Sequence, residues 1–259
     1  MTPAGKATFY RIAAEELSRE KARGSIGLLA EKRLHSVFKR WVTEDFACHE
    51  VRVRGKNNPK RCTVADVCLP GGEIAEIQTG ALYPLCRKTE FYLKETDCSV
   101  TLIHPIITEK HVSWISPEDG GVSAGRKSPK KETVLNTAGQ LKPFAQYFET
   151  GRFEVWFPLI RAEEYRLADG WGRSGKRGSH RFERIPTDLS EVVVLRGVRD
   201  LIPFLPEPLP ERFTAKEFAA RAKPLGGFAL YDLLALLCAG GVLQKTGKEG
   251  RSNIYEKRF

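Results

Sequence analysis

The stretch Thr63-Val64-Ala65-Asp66-Val67-Cys68-Leu69-Pro70-Gly71-Gly72-Glu73-Ile74-Ala75-Glu76-Ile77-Gln78 decides the fold. It reads as two apolar strands joined by a turn, each carrying an acid among hydrophobics. A loop of Pro70-Gly71-Gly72 pairs Leu69 with Glu73. Antiparallel partners keep a constant index sum, so Asp66 then stands directly across from Glu76. Side chains alternate along a strand, which puts Gln78 on the same face as the two acids. Ionised acids on a half-buried sheet repel one another and are costly to bury unless a cation compensates them. A divalent metal is the simplest compensation.

Upstream of this hairpin, Phe9 to Lys21 reads as a polar helix and Gly24 separates it from an amphipathic one. In the second helix Leu34, Phe38 and Trp41 form a stripe with Gly27 and Glu31, so Glu31 faces inward. Strands are expected at roughly 48–54, 61–69 and 73–79, then a helix over 82–93 and an apolar strand over 99–107. The order is αβββαβ. Further on, 110–116 suits another strand, 118–131 a loop, 132–148 a helix, and 152–159 and 191–195 two more strands.

A proline-rich run over 203–210 marks a boundary. The expected organisation is a domain over 1–196, a hinge over 197–210 and a small module over 211–259. In that module Thr214 caps a helix over 215–222, with Glu217 completing a capping box. A turn at Pro224-Leu225-Gly226-Gly227 leads into a helix over 228–239, and two short strands fit 242–245 and 253–257. Helix, turn, helix and a glycine-tipped hairpin make a winged helix.

The chain has 259 residues, 41% of them hydrophobic, enough for a sizeable core in a soluble α/β protein. Its 42 Lys and Arg against 32 Asp and Glu give a formal charge of +10, which favours polyanionic partners, nucleic acid first and anionic membrane surfaces second. The six cysteines form no CxxC pair and no His-rich zinc spacing, which suits a reduced cytosol and disfavours zinc. No basic segment followed by an apolar run opens the chain, and no apolar run approaches the length of a membrane span, so a cytoplasmic location is expected.

Over roughly its first 110 residues the sequence resembles the PD-(D/E)XK nuclease superfamily, with the winged-helix resemblance covering about the last 50. That superfamily carries an inward helical Glu, an Asp on the second strand and a Glu-x-Lys on the third; here these positions are Glu31, Asp66 and Glu76-Ile77-Gln78. The resemblance implies a restriction-endonuclease-like core, a mixed sheet flanked by helices, and metal-dependent phosphodiester hydrolysis. It further implies that Asp66 and Glu76 ligate Mg²⁺ or Mn²⁺, hard ions that prefer oxygen ligands, with Glu31 holding a second ion or orienting a bound water. Gln78 departs from the pattern: glutamine can orient a water but brings no positive charge. Some members of the superfamily supply the lysine from the next helix, where Lys88 could reach the site.

Nucleic acid is the implied partner, DNA ahead of RNA, and many such enzymes act as homodimers. The basic, glycine-containing loop with Arg173, Lys176 and Arg177 offers charges to phosphates, a solvated hairpin tip being the competing reading. In the C-terminal hairpin Lys245, Lys248 and Arg251 are placed to grip the backbone without reading sequence. The helix over 228–237 has no Arg, Lys, Asn or Gln to contact base edges. The alternative expectation is an inactive nuclease fold kept as a nucleic-acid-binding or assembly module.

Overall fold

In the computed structural model, Val67 pairs with Ala75 and Cys68 with Ile74, the register expected from the short loop. Continued by one residue, it sets Asp66 opposite Glu76. The structure describes residues 1–21, 33–171, 177–222, 225 and 227–259. It is an α/β fold with a mixed sheet flanked by helices. Among the described residues no helix is long and apolar enough to cross a membrane.

The chain divides into two compact units. The first comprises Met1–His49, Pro105–Glu132 and Pro158–Val192, the second Glu50–His104, Thr133–Phe157 and Val193–Phe259. In the first, helices α1 (Lys6–Lys21) and α2 (Arg33–Val42) pack through Phe9, Phe38 and Trp41, whose rings lie 5.6–6.5 Å apart. The stripe read from the sequence is therefore real where it is described: Leu34, Phe38 and Trp41 are all buried. Arg40, buried beneath this pair, is held by Glu15 and Glu16 of α1.

The second unit contains the quoted hairpin. Strand β1 (His49–Arg54) lies beside β2 (Cys62–Cys68); β2 is antiparallel to β3 (Glu73–Ile77), and β3 is parallel to β4 (Ser99–Ile103). The crossover from β3 to β4 is helix α3 (Cys86–Glu95), entered through a 3-10 turn at Tyr83–Leu85 that contains Pro84. A parallel pair needs such a crossover, so the helix position follows from the strand order. The guanidinium of Arg152 closes the far end of α3 by donating to the carbonyls of Leu93, Thr96 and Cys98.

Several elements differ from their sequence expectation. The apolar run over 99–107 breaks at His104-Pro105, where proline offers no N–H to a ladder, so β4 stops at Ile103 and β5 runs Ile106–Ile115. Within the expected loop, β6 (Arg126–Lys127) pairs with β5. The expected helix over 132–148 is α4 (Val134–Ala138), boxed by Thr133 and Asn136, followed by a 3-10 helix at Gly139–Thr150. Pro143 inside that stretch cannot donate an α-helical bond and crowds the preceding turn.

The largest difference is the pair β7 (Phe153–Trp171) and β8 (Arg177–Leu195), 19 residues each, where only two short strands were expected. The first residues of β7 pair with β4 in the second unit, and its later ones pair with β5 in the first.

The C-terminal part contains two helices and a hairpin. Strand β9 (Arg212–Thr214) leads into α5 (Ala215–Arg221), whose capping box is Thr214 with Glu217. Helix α6 (Gly227–Ala239) and the hairpin β10 (Leu243–Glu249) with β11 (Ser252–Lys257) follow, and the three strands form an antiparallel sheet in the order β10-β11-β9. Phe213 stacks between Phe218 and Tyr255 as its small core. The proline-rich run is no bare tether, for Leu205 and Leu209 within it are buried.

Candidate functional site

The β2–β3 turn positions the two acids. Gly72, at φ 78°, takes a left-handed conformation that a side chain would strain; its N–H reaches the Leu69 carbonyl at 2.9 Å, and the Leu69 N–H reaches Glu73 at 2.9 Å. Beyond the Val67–Ala75 pair the Asp66 side chain replaces a ladder partner: its Oδ2 accepts the Ile77 N–H at 2.8 Å. On its other edge β3 stays paired with β4 through Glu76–Leu102 and Ile77–Ile103. The hairpin is thus opened at its polar end by one carboxylate, with the backbone donor still satisfied.

Glu76 is 1% exposed and sits beneath α3. Lys88 and Tyr92, one helical turn apart, both point at it: Lys88 Nζ lies 2.6 Å from Oε2, and the Tyr92 hydroxyl donates to Oε1 at 2.8 Å. Burial, and next the charge of Asp66, push the Glu76 carboxyl up to about 7 against the opposing pull of Lys88 and Tyr92. The same burial, together with Glu76, pushes the Tyr92 phenol well above its ordinary value. Among the described residues, two acids and one ammonium thus share a poorly hydrated place.

Gln78 is committed elsewhere, its Nε2 donating to the Ala81 carbonyl at 2.7 Å. Its backbone carbonyl accepts from Nδ1 of the buried His104 at 2.6 Å. Tyr83 is 76% exposed and fills no core. Glu31, Arg173 and Lys176 lie outside the described residues, as does the side chain of Arg177. Lys245, Lys248 and Arg251 are exposed on the β10–β11 hairpin, whose strands close to a two-residue turn at Gly250-Arg251. Among the described residues no group of three or more His, Cys, Asp or Glu is gathered to hold a metal ion.

The structure therefore brings Asp66, Glu76 and Lys88 together and adds Tyr92, which sequence reasoning passed over. Its signal was present: an aromatic with a polar tip four residues after Lys88, on the same helical face.

Fold and site together define an α/β protein with a carboxylate pair at the open end of a hairpin, covered by a helix that supplies a lysine and a tyrosine. The chain belongs to the family described as Domain of unknown function (DUF8091), which matches residues 32–196 and so spans the hairpin, α3 and the β7–β8 pair. No curated protein and no solved structure matches it.

Proposed function

We propose that the chain is a divalent-metal-dependent phosphodiesterase acting on nucleic acid, DNA ahead of RNA, with a restriction-endonuclease-like core and a C-terminal winged helix. The observation that carries this reading is the pair Asp66 and Glu76, facing across one hairpin in the order β, β, α, β with a helical lysine at Glu76. The donor set fits a hard cation, since Asp66 and Glu76 both offer carboxylate oxygens. Asp66 and Glu76 would hold Mg²⁺ or Mn²⁺, and Glu31 is the third acid the resemblance nominates.

When bound, such an ion makes water a better nucleophile at neutral pH and stabilises charge on a phosphoryl oxygen. The chain's own residues do the rest. Tyr92 and Lys88 fix the Glu76 carboxylate in one orientation, and the Ile77 N–H does the same for Asp66. Lys88, 22% exposed, would face a phosphate while holding Glu76. Lys245, Lys248 and Arg251 would hold the backbone at the hairpin tip.

One observation favours a second reading, a nuclease fold that binds without cutting: the Gln78 amide donates to the Ala81 carbonyl. The test is a Mg²⁺ and Mn²⁺ titration against labelled linear, branched and single-stranded DNA, with Asp66→Asn run in parallel. Metal-dependent cleavage lost in the variant supports the phosphodiesterase. Binding without cleavage under either metal moves the assignment to the second reading.

A further inference from the structure

A second polar constellation lies in the first unit, far in sequence from the hairpin acids. Strands β5 and β7 pair in parallel, with Lys110 opposite Ala162, Val112 opposite Glu164 and Trp114 opposite Arg166, and β6 sets Arg126 opposite Val112. Cross-strand partners share a face, so Lys110, Trp114, Arg126, Glu164 and Arg166 line one side, while Glu109 and Glu163 take the alternate positions. Arg184 of β8 joins them through Glu164.

Glu164 is fully buried and, among the described residues, accepts four N–H bonds. Arg166 gives two to Oε1, at 2.8 and 2.6 Å, while Lys110 at 2.9 Å and Arg184 at 2.8 Å share Oε2. Burial pushes the carboxyl up, but the bonds from Lys110, Arg184 and Arg166 outweigh it and bring it down to about 2, so it stays ionised. Among the described residues this one carboxylate thus faces three cations, which tie three strands together. Exposure grows along the face: side chains of Lys110 and Arg184 are 9% and 12% exposed, Arg166 is 36% exposed, and Arg126 is exposed with its guanidinium 4.9 Å over the Trp114 ring. Glu164 holds two arginines in fixed orientations, so less side-chain entropy is lost when an anion arrives.

We propose that this face, centred on Trp114, Arg126 and Arg166, binds the phosphodiester backbone of single-stranded nucleic acid. Fixed cations beside an aromatic ring are what backbone gripping with base stacking uses. The proposal rests on the nucleic-acid reading above and gives it a contact surface separate from the carboxylate pair.

The test is fluorescence anisotropy of the full chain with a labelled oligodeoxythymidine in EDTA, across a salt series. Arg126→Ala should lower the slope of log affinity against log salt by about 0.7, and Trp114→Ala should weaken binding roughly tenfold. Lys60→Ala, an exposed lysine of the second unit, should leave both unchanged. Thermal melts of each variant confirm that its fold is intact. Native-like binding by Arg126→Ala and Trp114→Ala overturns the proposal, as does an equal loss in Lys60→Ala, which would mean that overall charge alone binds. Because no metal is present and Asp66 is untouched, failure here leaves the cleavage assay standing. A binding loss in a chain that never cuts DNA removes only the phosphodiesterase.

Discussion

Glu76 is the side chain whose environment makes the sharpest demand. Its folded pKa of about 7 lies above the ordinary carboxyl value of 4.5, so between those two values the folded state binds a proton that the unfolded state does not. Stability from this group is therefore present at low pH and lost as pH rises through that window, by roughly 3 kcal/mol. In EDTA, the difference in unfolding free energy between Glu76→Gln and the native chain should grow in favour of the variant from about pH 5 to about pH 8. A difference that does not change with pH would show that Glu76 is not held as described. Tyr92→Phe keeps the ring and removes the donor to Glu76, and should cost roughly 1.5–3 kcal/mol above neutral pH, read from denaturant melts.

Among the elements, two glycines carry the geometry. Gly72→Ala meets open space apart from the Cys98 sulfur at 3.8 Å, so its cost is the left-handed backbone alone, about 1 kcal/mol in a thermal melt. Gly240→Ala is different, for a Cβ there would lie 2.2 Å from Val198 Cβ at the end of α6. Overpacking of that kind should cost about 1–3 kcal/mol and lower Tm more than Gly72→Ala does. The β2–β3 hairpin was readable from sequence because apolar alternation and a Pro-Gly-Gly turn agree on one register. Of β7 and β8 only the first residues of one and the last of the other were readable, because stretches such as Arg161-Ala162-Glu163-Glu164-Tyr165-Arg166 look solvated until the ion pairs that bury Glu164 are seen. For the site, Asp66 and Glu76 could be named from alternation, and Lys88 from what the resemblance implies. Tyr92 needed the packing of α3 on β3, and the turn of Gln78 toward Ala81 needed the conformation after the strand.

Each compact unit is assembled from three separated segments, so neither is a contiguous stretch of chain. Helix α6 packs Leu233, Leu234, Leu236 and Leu237 into the core of the same unit that holds Gly139–Thr150. A chain cut after Arg196, where the family match ends, loses that layer; it should be poorly soluble and lack a cooperative thermal transition, measured by calorimetry beside the full chain. A soluble, cooperatively melting 1–196 fragment would contradict this division. The interleaving also sets a timetable for the nascent chain. Tyr10 finds Asp188, and Arg33 finds Glu183, only after more than half of the protein has been translated beyond them. At roughly 5–20 residues per second, the α1–α2 pair leaves the ribosome several seconds before its strand partners exist. For that interval its apolar face is a client for chaperones.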